Sequence, residues 1–192
     1  GLLKRRNPKN ALIFTNMKHT AFLLAKQLQA NGLQAKFLSG DLRQSERLQI
    51  IEDFMAGRFP LLVATDVASR GLHIDDLEMV INYDIPQDCE NYVHRIGRTA
   101  RAGATGLAIT LASEATSDHL EAIEKFIGMK VPELPVTDDL FARDLSLEKL
   151  AGQRLERRRP SGQGGSSGRR GGGGTGRRPG GSRGRTSGSR TH

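Results

Sequence analysis

The amino-acid sequence predicts an α/β domain built on a mainly parallel sheet with helices on both faces, followed by a disordered tail. Three observations predict this. Short apolar runs alternate with segments of helical periodicity, the pattern of successive βαβ units. Those runs are apolar at consecutive positions, as strands covered on both faces are. From Gln153 onward the chain is mostly Gly, Ser and Arg, with Leu155 its one apolar side chain apart from proline. Such a segment buries too little apolar area to offset the entropy of ordering.

The elements come in a regular order. Ala11-Leu12-Ile13-Phe14-Thr15 reads as a buried strand. Residues 18–31 place Phe22, Ala25 and Leu28 at helical spacing, and Gly32 is the stop. Residues 34–39 alternate as a strand. Residues 43–56 put Leu48, Ile51, Phe54 and Met55 on one helical face, ended by Gly57. Pro60 to Ala64 and Met79 to Tyr83 are further buried strands. Asp88 to Ile96 forms a short helix, and Gly106 to Leu111 a last strand. Ser113 caps a helix carrying Leu120, Ile123 and Phe126 on one face. The pattern fades after about residue 130, which divides the chain into a domain over 1–130, an extended or helical extension over 131–152 and a disordered tail over 153–192.

The 192 residues carry a formal charge of +8, but the charge is unevenly spread. From Arg154 on there are 11 arginines and one acid, Glu156, which leaves 18 basic and 20 acidic residues before it. The tail is therefore polycationic, and any nucleic-acid site on the folded part is a local patch. The single cysteine, Cys89, excludes an internal disulfide framework, and five scattered histidines give no zinc spacing, so no metal ligands are assigned. No signal peptide or bilayer-length apolar run occurs, which points to a reducing, cytoplasmic compartment. The chain begins Gly1-Leu2-Leu3-Lys4, without methionine, as a fragment of a longer protein does.

In a parallel sheet, ligands bind where the strands' carboxyl ends meet the loops, so chemistry is sought in the segments that come after strands. The strongest such signal is His94-Arg95-Ile96-Gly97-Arg98-Thr99-Ala100-Arg101-Ala102-Gly103. Three arginines spaced by three fall on one side of a helical turn, and guanidinium groups clamp phosphate oxygens through paired hydrogen bonds. The competing reading is a solvated basic face.

This run resembles motif VI of the DEAD-box helicases, commonly HRIGRTGRAG, with Ala100 in place of a glycine. That replacement is compatible with the motif if the backbone there avoids positive φ. Other segments resemble family motifs in the family's order. Leu12 to Asn16 is similar to motif IV, and Ser39 to Arg47 to the RNA-contacting segment after it. Ala64 to Gly71 is similar to motif V, and Asn82 to Pro86 to the next segment. The resemblance covers residues 5–130. The wording Gly71-Leu72-His73-Ile74 and the run Asp88 to Arg95 look most like the bacterial RhlB group.

The resemblance implies a three-layer RecA-like domain, the second of two in an ATP-dependent RNA helicase. It implies that Arg98 and Arg101 are arginine fingers on the ATP γ-phosphate. Asp66, Arg70, His94 and Arg95 would form a network between motifs and domains. For His94 a structural imidazole is an equal competitor, and for Asp66 a loop cap is a serious one. Thr65, Gly40 and Arg47 would contact the RNA backbone, Arg47 having an ordinary surface arginine as its alternative. His73 stands where the family has an aspartate on the ATP ribose. It keeps a donor but not the carboxylate's two acceptors, which leaves that contact open.

No Gly-x-x-x-x-Gly-Lys-Ser/Thr run and no Asp-Glu-Ala-Asp run occurs. In the family both lie on the first RecA-like domain, so ATP with Mg2+ would be held mainly there and this chain alone would be inactive. The tail arginines Arg169, Arg170, Arg177 and Arg178 suit salt-sensitive, sequence-tolerant RNA binding. Partners implied are RNA, the first RecA-like domain and a ribonuclease complex. Two other classes stay open: an RNA-annealing or scaffold module without turnover, and a related motor acting on DNA.

Overall fold

The computed structural model describes residues 1–69, 71, 74–100 and 105–146. Among these, five strands form one parallel sheet in the order β2-β3-β1-β4-β5. They are β1 (Ala11–Phe14), β2 (Ala35–Leu38), β3 (Leu61–Ala64), β4 (Met79–Asn82) and β5 (Leu107–Thr110). The register is level: Phe14 lies opposite both Ala64 and Asn82, and Leu38 opposite Ala64. The residues at the carboxyl ends of these strands therefore share one rim.

The helices are α1 (Leu2–Arg6), α2 (Lys18–Ala30), α3 (Gln44–Met55), α4 (Asp66–Ser69), α5 (Cys89–Ile96) and α6 (Ser117–Ile127). Because strand side chains alternate between faces, the consecutive apolar runs feed two cores. Leu12, Phe14, Leu38, Leu62, Ala64 and Val80 pack on one face with Ile51 and Phe54 of α3. Ala11, Ile13, Ala35, Leu61, Val63, Met79, Ile81 and Ile109 pack on the other with Ala21 and Ala25 of α2. A smaller cluster of Ile85, Tyr92 and Ile123 joins α5 to α6. The three-layer α/β architecture predicted from the sequence is the one observed. Among the described residues, no helix is long and apolar enough to cross a membrane.

The strands and the main helices lie where the sequence places them, and the differences are local. Ser113 caps a single 3-10 turn, Glu114–Thr116, by exchanging hydrogen bonds with Thr116, and α6 begins only at Ser117. Phe126 is 55% exposed, so the buried face of α6 runs through Ile123 and its neighbours instead. Leu48 and Met55 of α3 and Phe22 of α2 are also exposed, although Phe22 meets Phe37 edge to face at 5.2 Å. The helix stop at residue 32 holds: α2 closes at Asn31, and Gly32 turns the chain with φ +83°.

Residues 131–146 of the predicted extension carry a 3-10 turn, Asp138–Leu140, and are tied back to the end of α2. The Asn31 side chain donates to Asp144 at 2.7 Å and accepts from the Leu145 N–H at 2.9 Å. The Asn31 bond, with the Ser146 N–H, holds the Asp144 carboxyl below its ordinary range. The tail expected to be disordered lies outside the described residues.

Candidate functional site

The rim is built from the residues just past each strand: Thr15-Asn16 after β1, Ser39-Gly40 after β2, Thr65-Asp66 after β3 and Tyr83-Asp84 after β4. Helix α5 lies against it, started by the Asp88 side chain, which accepts the Glu90 N–H at 2.9 Å.

Arg95 is the centre of this rim, and its side chain is 1% exposed. Its guanidinium makes five hydrogen bonds to five acceptor atoms. Nε and Nη2 donate to the two carboxylate oxygens of Asp66, each at 2.7 Å. Nη2 also donates to Asn16 Oδ1 at 2.9 Å, and Nη1 to the Asp84 carbonyl at 2.7 Å and to Asn82 Oδ1 at a long 3.5 Å. The guanidinium carbon lies 5.1 Å from the centre of the Phe14 ring. Asn16 in turn donates its side-chain amide to the Ile85 carbonyl and its backbone N–H to the Asp84 carboxylate, while Asn82 donates to Thr110 on β5. One buried cation thus ties together the ends of β1, β3 and β4.

The expected link between the motif V and motif VI stretches is present as the Asp66–Arg95 pair. Within the domain the Arg95 side chain is 1% exposed and its donors are engaged by the strand ends. The single helical row of arginines is corrected. Helix α5 ends at Ile96 with Gly97 as its cap, so Arg95 points inward while Arg98 leaves the turn in another direction.

Arg98 stays near the surface, 23% exposed, and pairs with Asp75 at 3.1 Å. With Phe14, Asp66, Ser69, Gly71, Asp88, Glu90, Asn91, His94 and Arg95 it lines an open cleft of about 330 Å³. His94 is exposed on that cleft. Arg70, His73 and Arg101 lie outside the described residues, as do Arg169, Arg170, Arg177 and Arg178. Among the described residues no group of three His, Cys, Asp or Glu side chains is placed to hold a metal ion.

Among the residues expected to meet RNA, Thr65 accepts the Ala68 N–H at 3.4 Å and so starts α4, while remaining half-buried at the rim. Gly40 is exposed, with open space where a side chain would stand and no positive φ, so nothing in the domain itself requires glycine there. Arg47 is held within the domain. Its Nη2 donates to the Ala68 carbonyl at 2.9 Å and its Nη1 to Gln44 at 3.1 Å, while its Nε is buried. It braces the turn that carries Thr65.

Ala100 has φ +56°, so the proviso of an ordinary backbone at this position is not met. An L side chain in this left-handed region costs about 1 kcal/mol relative to glycine. Asn16, Asn82 and Asp84 entered the sequence reading only as members of family-like segments, and Asp75 received no role. Their signal was faint: polar residues close after apolar strands, where a parallel sheet gathers its site.

The comparisons with known proteins place the chain in a family and fold. The model of the helicase conserved C-terminal domain matches residues 1–103. The ATP-dependent RNA helicase RhlB of Enterobacter sp. (strain 638) is 47% identical over 163 residues, 85% of this chain and 38% of that protein. The chain therefore spans well under half of the length of this curated relative. The E. coli DEAD-box protein SrmB, solved bound to regulator of ribonuclease activity A, is 36% identical. Its TM-score is 0.68, with 72% of this chain and 81% of that chain covered. A DEAD box protein from the hyperthermophile Methanococcus jannaschii is 38% identical with a TM-score of 0.63, covering 70% of this chain and 38% of that one.

Two outcomes are expected from the site as built. Asp66→Ala leaves a buried guanidinium short of its carboxylate and should lower unfolding stability by about 3 kcal/mol in urea titration. A loss under about 1 kcal/mol would show that Arg95 does not depend on the pair. Ala100→Gly relieves the left-handed backbone and should raise the melting temperature by about 3 °C. An unchanged or lower value would place the strain elsewhere.

Proposed function

The chain belongs to the helicase conserved C-terminal domain family, as an RhlB-like DEAD-box member, and on that premise we propose that it is the second half of an ATP-dependent RNA helicase. It works by closing on a preceding RecA-like domain, with ATP in the seam and RNA across the rim. Arg98 and Arg101 complete the phosphate site. Guanidinium groups there offset the charge that builds on the phosphoryl oxygens as the γ-phosphate transfers to water. Thr65, Gly40 and Arg47 hold the RNA backbone, and Arg47 also keeps the Thr65 turn in place. His94 sits at the cleft as a candidate link between the two ligands.

The observation that carries this reading is the meeting of three distant segments, 39–40, 65–66 and 94–98, along one strand-end rim with Arg98 on its open cleft. The open space beside Gly40 supports the RNA half of it, since a sugar–phosphate chain needs close backbone approach. Mg2+ and the phosphate cradle are assigned to the preceding domain, where the family carries its Gly-Lys-Ser/Thr and Asp-Glu-Ala-Asp runs. The family separates duplexes locally, by bending one strand.

The tail adds a second RNA contact through Arg169, Arg170, Arg177 and Arg178. It is salt-sensitive and indifferent to sequence, and it raises the local concentration of RNA by tethering. A ribonuclease-associated assembly belongs to the same proposal, supported by the SrmB relative solved with a regulator of ribonuclease activity.

The test is Arg98→Ala in the complete two-domain protein. RNA-stimulated ATP turnover should fall about 10³-fold, while RNA affinity measured by fluorescence anisotropy changes little. Equal turnover in variant and parent would remove Arg98 from the phosphate site and favour an annealing or scaffold module.

A further inference from the structure

The assigned roles give no task to the carboxylate that pairs with Arg98. Asp75 lies beyond Gly71, and the family reading gives it no task. It is one of the few carboxylates near Arg98, and it is the one whose oxygen lies 3.1 Å from Arg98 Nη1. Both side chains are about one quarter exposed, 26% for Asp75 and 23% for Arg98.

Their approach is fixed by the backbone. The Leu77 N–H donates to the Arg98 carbonyl at 3.1 Å, the Thr99 hydroxyl donates to the Leu77 carbonyl, and Leu77 and Thr99 form a parallel bridge. Leu77 is buried in the core on the α3 face of the sheet, and a side chain at Gly106 would run into Thr99, so this clip is packed from both sides. Asp76 adopts φ +56°, a conformation that aspartate tolerates better than most residues, and this turn separates Asp75 from the clip.

The cleft explains why such an anchor matters. Asp66, Asp88 and Glu90 line it, whereas Asp75 meets Arg98 from outside that lining. Asp66 is committed to Arg95, and Asp88 to the start of α5, but each remains a strong attractor for a long, flexible cation. An arginine left to choose among them samples several directions, and misplacement of a reacting group is costly in rate. The pair with Asp75 selects one.

Resting on the assignment of Arg98 to the ATP phosphate, we propose that Asp75 is a positioning residue for ATP turnover: it aims the Arg98 guanidinium along the cleft before the two domains close. It touches neither ATP nor RNA. It acts through Arg98, and its removal therefore changes turnover more than binding.

The experiment is steady-state RNA-stimulated ATP hydrolysis by the complete two-domain protein carrying Asp75→Ala, Asp75→Asn, Arg98→Ala or the double variant Asp75→Ala with Arg98→Ala. Asp75→Ala should lower kcat about 10- to 100-fold, with KM for ATP and the RNA Kd essentially unchanged. Asp75→Asn, which keeps an acceptor oxygen at the same reach, should recover much of that loss. In the Arg98→Ala background, Asp75→Ala should cost nothing further, because the two act as one unit. Parental kcat in Asp75→Ala, with Arg98→Ala inactive, overturns the role of Asp75 and leaves Arg98 in place. Losses that multiply in the double variant overturn it as well. Parental turnover in Arg98→Ala overturns both assignments. Should Asp75→Ala fail to fold, Asp75→Ser, polar but too short to reach the guanidinium, carries the same expectation and the same refutation.

Discussion

A guanidinium removed from water costs several kcal/mol unless its charge and its donors are met, and at Arg95 they are. Asp66 supplies the charge, and Asn16, Asn82 and the Asp84 carbonyl supply the remaining acceptors. These partners come from three strand ends that sequence order keeps far apart and the parallel register brings to one level. The requirement runs both ways. The cation is tolerated only if the loops stand in place, and the loops are fixed because the cation sits among them. Everything functional on the rim is hung from this point: Thr65 precedes Asp66, and Arg98 comes less than one turn after Arg95.

Arg95 and Arg98 have the same side chain and opposite fates. The first projects from α5 into the strand ends. The second comes after Gly97 has closed the helix, and it emerges beside the cleft with Asp75 as partner. Spacing by three does not make them one face, because the helix carrying the face stops between them. A structural arginine is saturated and hidden. The phosphate role proposed for Arg98 needs a side chain that is ordered yet reachable, and a pair at one-quarter exposure meets both demands, since solvent screens it enough for a competing anion to share the guanidinium.

The fold was largely legible because its signals are local. Runs such as Leu61 to Ala64 are apolar at every position, as the doubly covered sheet requires, and Asp88 or Gly32 mark helix ends through chemistry that acts within a few residues. Exposure along the helices was less legible. Phe126, Leu48 and Met55 fit a helical stripe but face outward, since periodicity fixes a face to within a residue or so and cannot say how far the neighbouring element extends. At the site, the motif VI and motif V stretches were identified, whereas the partners that Arg95 and Arg47 hold within the domain were not read as such. Those partners, Asn16, Asp84 and the Ala68 carbonyl, are distant in sequence or belong to the backbone, which no residue letter reveals. Ala100 is the plainest case: a backbone angle, invisible in the sequence, decides whether a methyl group there is neutral or strained.

The near-neutral domain and its polycationic tail divide the proposed work of holding RNA: a shaped rim for backbone contacts and a charged segment for capture. The account stands on Arg98 facing a nucleotide held by the preceding RecA-like domain. The most direct measurement is the structure of the complete protein closed on single-stranded RNA and a non-hydrolysable ATP analogue. The account predicts the Arg98 guanidinium within hydrogen-bond distance of the γ-phosphate oxygens, with Arg95 still buried against Asp66. A closed complex in which Arg98 makes no contact with the nucleotide would contradict it.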